Sequence, residues 1–535
     1  MNPSASTLRT TPRVDLLTVL AVLVALPTVL PLMSAIGGLF GADRDTLQHL
    51  WRYVLPEAGH NTLLLMLGVG TGSALLGTAL AALVALTEFP GRRLLSGLLV
   101  LPLALPAYVM AVALIGLFDY SGPLATALRG WGIFAWPEFR SRWGLTLTLV
   151  LVLYPYVYLL AREAFARQGR RALEAARVLG LSPRQAFWRS ALPLARPWIA
   201  AGALLVMMEA LADFGTVAAF NITTFSIAIY KAWFALFSLP SALAVAALML
   251  SLVVIVAHLE RRARQRQRFA SDSAPGERLR LSRGKACLAT GLCGAVFTLA
   301  FVVPIARLLW LGIPHWHAID ARGWSAAFNS LSLGALAAAV VVLGALLLAL
   351  AERQRPAIAV RAAVRLGTLG YALPGALLAV GLYVPAVELG NRLAASLGLD
   401  LRVHGGLGLL LVAYLVRFAA VAYAPLSAAL QRVRPQLVEA ARSLGAGPSR
   451  LYGRVFLPLL RGGLASAALL VLVDVMKEMP MTLMMRPFGW DTLATRVFEL
   501  SSEGLWAQAA LPALAIVAVG LAPVLLLERS ARHAA

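Results

Sequence analysis

Cysteine is nearly missing from this chain: Cys287 and Cys293 are the only two in 535 residues, both inside one apolar stretch. They lack metal-ligand spacing and an aqueous redox setting, so they read as small packing residues rather than as a disulfide or zinc site. Charge is scarce as well: 13% of residues carry it, and 25 acidic side chains face 47 basic ones. No Gly-x-x-x-x-Gly-Lys-Ser/Thr run occurs, so the chain should not bind ATP through a P-loop. No His-Glu-x-x-His run points to a metalloenzyme, and the seven His are scattered. His315 and His317 are close neighbours, but on an expected outer loop, where such a pair is more often incidental than a site.

What the chain has in excess is apolar surface. Hydrophobic residues make up 60% of it, and mean hydropathy is +0.79. That much apolar surface cannot be hidden from water, so lipid is the expected solvent. A hydrocarbon core about 30 Å thick takes roughly 20 helical residues to cross. Twelve segments qualify, near 15–37, 62–87, 94–118, 144–165, 195–219, 240–258, 286–312, 330–351, 366–388, 406–428, 462–485 and 508–528. The expected fold is therefore an all-α polytopic membrane protein. The first segment is too long for a signal-peptide core and reads as a retained helix.

Orientation follows from Lys and Arg. With the N-terminus placed in the cytoplasm, the inner segments hold 33 of the 47 basic residues. Both termini are then cytoplasmic. The net charge of +22 mainly records topology, and nucleic acid is not an expected partner.

One polar, basic phrase occurs twice. It reads Glu174-Ala175-Ala176-Arg177-x-Leu179-Gly180-x-x-Pro183, with Arg189 and Leu192-Pro193-Leu194 following. It returns as Glu439-Ala440-Ala441-Arg442-x-Leu444-Gly445-x-x-Pro448, with Arg454 and Leu457-Pro458-Leu459. Segments 174–194 and 439–459 share 11 of 21 positions without a gap. Such spacing means two homologous halves in tandem. The first half is expected over 1–258, with its loop at about 170–197, and the second over 286–535, with its loop at about 435–462. Between them, 259–285 reads as a basic, solvated cytoplasmic linker. Asn61-Thr62-Leu63 echoes Asn329-Ser330-Leu331, and Leu105-Pro106 echoes Leu373-Pro374. Six spans return the chain to its starting side, so the halves should be parallel repeats about a pseudo-two-fold along the membrane normal.

The repeated phrase has a mechanical reading. Its Glu-Ala-Ala-Arg start favours a helix. Gly180 and Gly445 suit a left-handed helix end. Ser182-Pro183 suits the start of the next helix, and Gly447-Pro448 can serve likewise. The product is a short helix, a fixed bend and a second helix re-entering the membrane. An ordinary amphipathic loop is the bland alternative, and the duplication argues against it.

Glu-Ala-Ala-x-x-x-Gly followed by Leu-Pro resembles the coupling loop of permeases in binding-protein-dependent ABC importers, although the usual Ile before Leu-Pro is missing in both copies. The resemblance covers nearly the whole chain. It implies that Glu174, Ala175, Gly180 and Pro183, and likewise Glu439, Ala440, Gly445 and Pro448, dock on separate ATP-hydrolysing subunits, one copy under each loop. It also implies a periplasmic substrate-binding protein as partner and the bacterial inner membrane as location. ATP would be used by the partners, with no cofactor in this chain.

Intramembrane charge is the clue to cargo, because each such group costs about 2.5–3.5 kcal/mol at a helix centre. Glu209 and Asp213 follow the first loop, and Asp474 and Glu478 follow the second at the same offset. Each pair is spaced i,i+4, so both acids should share a helical face. They can line a cation pathway or satisfy the backbone where the helix breaks. Asp213-Phe214-Gly215-Thr216-Val217, Thr224-Phe225 and Ile229 through Phe234 resemble bacterial ferric-iron permeases. So do Asp474 through Pro480, Arg486-Pro487-Phe488 and Asp491 through Val497. Met479 and Met481 depart from the usual Leu and Ala there. Thiamine permeases share the fused architecture, and an organic cation is also compatible with these acids. An ion-gradient transporter is a further class, against which the paired motif argues. Segments 220–239 and 486–507 are expected outside, where a binding protein could dock.

Overall fold

The computed structural model describes residues 16–41, 44–120, 122–132, 138–266, 276–318, 320–354, 357–398, 405–447 and 450–533. Among the described residues, twelve helices are long and apolar enough to cross a membrane, from Leu16–Gly41 to Trp506–Leu525. The chain is an all-α polytopic membrane protein. Its only β pairing among the described residues joins Thr87–Glu88 to Leu279–Arg280 in parallel.

The third segment of each half is broken rather than continuous. A helix over Ala107–Phe118 starts after Pro106, and one over Gly375–Ser396 starts after Pro374. The two prolines have nearly the same backbone angles, φ −59°, ψ 142° and φ −58°, ψ 143°. Proline lacks an N–H and disfavours helix in the residue before it, so the same Leu-Pro step interrupts both spans.

The chain divides into two compact units, each drawing on both halves of the sequence. The smaller contains Met1–Leu30, Ala335–Tyr371 and Leu411–Leu472. Its core joins Ala21, Ala25, Leu348, Ala351, Val360, Ala363 and Val364, where small side chains let helices approach closely. Arg353 donates to the carbonyls of Leu430 and Val433, satisfying groups that a helix end leaves without partners.

The larger unit contains Pro31–Gly334, Ala372–Leu410 and Val473–Ala535. Here Leu55–Leu86 packs against Arg142–Ala164 and Leu192–Ala212. Gly77 permits the approach: a Cβ there would lie 2.9 Å from the Tyr154 carbonyl oxygen and the Tyr158 nitrogen. The Tyr154 and Tyr158 hydroxyls each donate at 2.9 Å, to the carbonyls of Leu99 and Ser96.

The same latch closes twice in this unit. Asn61 Nδ2 donates to the Thr223 carbonyl at 2.9 Å, and the Phe225 N–H donates to Thr62 Oγ1 at 3.2 Å. In the second half Asn329 Nδ2 donates to the Asp491 carbonyl at 3.1 Å, and the Leu493 N–H donates to Ser330 Oγ at 2.7 Å. The Asn-Thr and Asn-Ser echoes are therefore one piece of hydrogen bonding repeated. Asn61→Ala or Asn329→Ala takes the donor from a buried or half-buried carbonyl. Each should cost about 1–3 kcal/mol, seen as a lowered midpoint in detergent thermal unfolding.

Candidate functional site: paired repeated turns and paired helix breaks

The first repeated phrase begins in the helix Arg170–Val178. Gly180 ends it at φ +84°, with its N–H donating to Arg177 O at 2.9 Å and the Leu181 N–H to Ala176 O at 3.1 Å. In the second copy Pro435–Ser443 is the helix and Gly445 has φ +76°. The Gly445 N–H donates to Arg442 O at 2.9 Å, and the Ala446 N–H donates to Ala441 O at 3.0 Å. Both are the two-bond termination that a left-handed glycine makes possible. Pro183 then opens the next helix under a capping box in which Ser182 and Gln185 bond reciprocally. Pro448 lies outside the described residues.

These turns expose an apolar knob at the same place. Leu179 is 82% and Leu444 is 88% exposed. Ala175 and Ala440 are also exposed, as is Glu439, whereas Glu174 is half-buried. Sequence pattern alone did not single out the two leucines, although both were inside the repeated phrase.

Glu174 differs from its counterpart through the linker. The Glu277 N–H donates to Glu174 Oε1 at 2.5 Å. Nearby, Arg278 lies 3.7 Å from Glu88, which also pairs with Arg92 at 3.1 Å. The expected solvated linker is thus partly built into the fold. Its first arginines extend the helix Leu239–Gln265, and Gly276–Arg280 is pinned beside the first loop.

The acid pairs do not keep a common helical face. The helix Leu192–Ala212 stops before Asp213, which is extended at φ −65°, ψ 132°. Its carboxylate turns forward, accepting from Thr216 Oγ1 at 2.8 Å and the Val217 N–H at 3.1 Å. In the second half the helix ends at Lys477. The buried Glu478 carboxylate accepts from the Met481 N–H at 3.0 Å, the Thr482 N–H at 2.9 Å and Thr482 Oγ1 at 2.7 Å. The physical reason is the break itself: the short helices Gly215–Ala219 and Pro480–Met485 present N–H groups with no partner in their own turn. Glu209 and Asp474 stay on the preceding helices, both half-buried. Lys477 Nζ donates to the Leu103 carbonyl at 3.4 Å.

The two breaks meet. A Cβ on Gly215 would stand 2.4 Å from Met479 Cε and 2.8 Å from Tyr108 Cβ. Phe214, 1% exposed, packs on Tyr230 at 5.4 Å and on Phe498 at 5.8 Å between ring centroids. Beside them, Arg486 pairs with Asp491 and, at 2.6 Å, with Glu499, while Arg496 reaches Asp320 at 3.3 Å. In the first half Lys231 takes the place of Glu499 and donates to Thr223 Oγ1 at 3.0 Å. This ion-pair network escaped the sequence reading because only Arg496 and Glu499 are helical neighbours; folding brings the others. Among the described residues, no three His, Cys, Asp or Glu converge as metal ligands.

The profile of binding-protein-dependent transport system inner membrane components matches residues 73–265 and again 340–534. The chain belongs to this family. It is a transport permease of the ABC importer type, made of two fused family units, and not an enzyme. It is 29% identical over 527 residues to the Fe(3+)-transport system permease protein FbpB 2 of Haemophilus influenzae, covering 96% of this chain and 98% of that one. A Salmonella typhimurium permease assigned to 2-aminoethylphosphonate transport, PhnV, is 32% identical over 261 residues, 46% of this chain and 95% of its own. The sulfate transport system permease protein CysW of Synechococcus elongatus is 35% identical over 169 residues, 30% of this chain and 56% of that one. PhnV is thus matched almost end to end by less than half of this permease, as a fusion of two units requires.

Proposed function

We propose that this permease passes ferric iron, delivered by a periplasmic binding protein, into the cytoplasm. Two copies of an ATP-hydrolysing subunit would drive it, one under each repeated turn. The observation that carries the cargo is the end-to-end similarity to the Haemophilus influenzae ferric-iron permease. The phosphonate and sulfate relatives match only part of the chain. The charge asymmetry favours both termini, both turns and the linker in the cytoplasm.

Leu179 and Leu444 are the proposed contact knobs, with Glu174, Ala175, Gly180, Pro183, Glu439, Ala440 and Gly445 in the turns that carry them; Pro448 of the second phrase is proposed for the same role from sequence alone. On the opposite side, the fully exposed Phe488 and the 88%-exposed Phe237 offer apolar contacts to a binding protein. The four acids then divide by role: Glu209 and Asp474 remain as carboxylates on the approach to the breaks, while Asp213 and Glu478 hold the breaks in shape.

Uptake of radiolabelled ferric iron, in cells carrying the chain with its ATPase and binding protein, tests the reading. Uptake should depend on the ATPase and be unaffected by excess thiamine. Competition by thiamine would reassign the cargo, and uptake without the ATPase would reassign the driving force.

A further inference from the structure

The two docking surfaces differ chemically, and the difference lies in the linker. Four observations converge on Gly276–Arg280. The Glu277 N–H donates to Glu174 Oε1 at 2.5 Å. Gly276 lies so close to that carboxylate that an added Cβ would stand 2.7 Å from Glu174 Oε2. Leu279–Arg280 pairs as a strand with Thr87–Glu88. Arg278 lies 3.7 Å from Glu88 Oε2. A segment fixed by backbone bonds at two places and by an ion pair is a built element, not a tether. The Glu277 side chain is exposed, beside the first repeated turn. At the second turn Glu439 is exposed, and no paired strand lies beside it among the described residues.

We infer that the linker completes the first docking surface, so that the ATP-hydrolysing subunit there contacts Glu277 as well as the coupling turn. The first copy of the partner meets two neighbouring acids, Glu174 and Glu277; the second meets Glu439 without a linker acid beside it. A partner that is the same protein at both sites is therefore held in two ways. The basic side chain or N–H donor that takes Glu439 directly must at the first site share a carboxylate already engaged by the linker backbone. This rests on the coupling role proposed above for the turns.

The test is photo-crosslinking in the assembled transporter, with a photoreactive residue in place of Glu277 in one sample and of Val178 in another. Val178 is 88% exposed on the first turn itself and reports docking regardless of the linker. Adducts with the ATP-hydrolysing subunit are expected from both positions. Gly276→Val, which pushes the segment off Glu174, should cut the adduct at 277 at least about fivefold and leave that at 178 in place. An adduct from 178 but not from 277 would overturn the inference and keep the coupling role. Silence at both positions would overturn the two together. An adduct at 277 indifferent to Gly276→Val would show that the Glu174 contact does not present the linker, and would also overturn it.

Discussion

Replacing Leu179 and Leu444 together with serine should strip the ATP-hydrolysing subunits from the detergent-solubilised transporter and reduce uptake to background. Both side chains stand more than four-fifths exposed, and nothing in the fold explains why leucine should be there. Burying one leucine against a partner contributes about 1.5–3 kcal/mol. Each factor of ten in affinity corresponds to about 1.4 kcal/mol, so losing one knob should weaken its docking about 10–100-fold. Serine is preferred to an acidic replacement because the helix end there already carries partial negative charge. Since both leucines face solvent, the unfolding temperature should not change, which separates lost docking from lost fold. Copurification of the ATPase at unchanged yield from the double variant would refute the coupling role. Each single variant should retain one subunit copy by native mass spectrometry.

The second large effect concerns the helix breaks, where two conservative changes should behave unequally. Asp213→Asn should retain most transport. The amide oxygen can still accept from the Val217 N–H, and the amide nitrogen can donate to Thr216 Oγ1, a hydroxyl that accepts as readily as it donates. Glu478→Gln has no such escape. Its two oxygens receive the Met481 N–H on one side and the Thr482 N–H with Thr482 Oγ1 on the other. An amide nitrogen must replace one of them and then faces a donor. Leaving a buried donor unsatisfied costs about 1–3 kcal/mol, which disfavours the native geometry of this break about 5–150-fold, so transport per folded molecule by Glu478→Gln should fall by up to that factor, with a lower unfolding temperature. Were both acids valued only for their charge on a cation path, the two variants would lose transport equally. Iron uptake normalised to folded protein decides between these outcomes.

Much of this architecture was legible from sequence because lipid leaves few choices. A span must satisfy its backbone internally, so runs of apolar residues of the right length can only be helices. Gly180 and Gly445 were readable for a comparable reason: a left-handed turn after a helix tolerates little else. The fate of Asp213 and Glu478 was not readable, because i,i+4 spacing predicts a shared face only while the helix continues. A two-residue gap at each break, with Asp213 extended in the first, turns the carboxylate from the helix behind it to the helix ahead. The linker was legible only in part. Its composition is that of a solvated basic segment, and the placement of Gly276–Arg280 depends on Glu174 and Thr87–Glu88, groups remote in sequence. The knobs were hidden because an exposed leucine and a buried one look alike in a hydropathy pattern.

The repeated latch and its neighbouring charges carry one more consequence. Asn61 and Asn329 make the same bond, yet Lys231 in the first half stands where Glu499 does in the second, and Thr223 where Asp491 does. Had two identical chains paired, every substitution would appear on both sides at once, and a charge reversal could not be confined to one. Had two different chains paired, each would need to find its mate and avoid its own kind. A peptide bond fixes the ratio at one to one and removes that search. Each half can then diverge wherever its neighbours allow, which is how a duplicated scaffold keeps its frame while one end of it becomes lopsided.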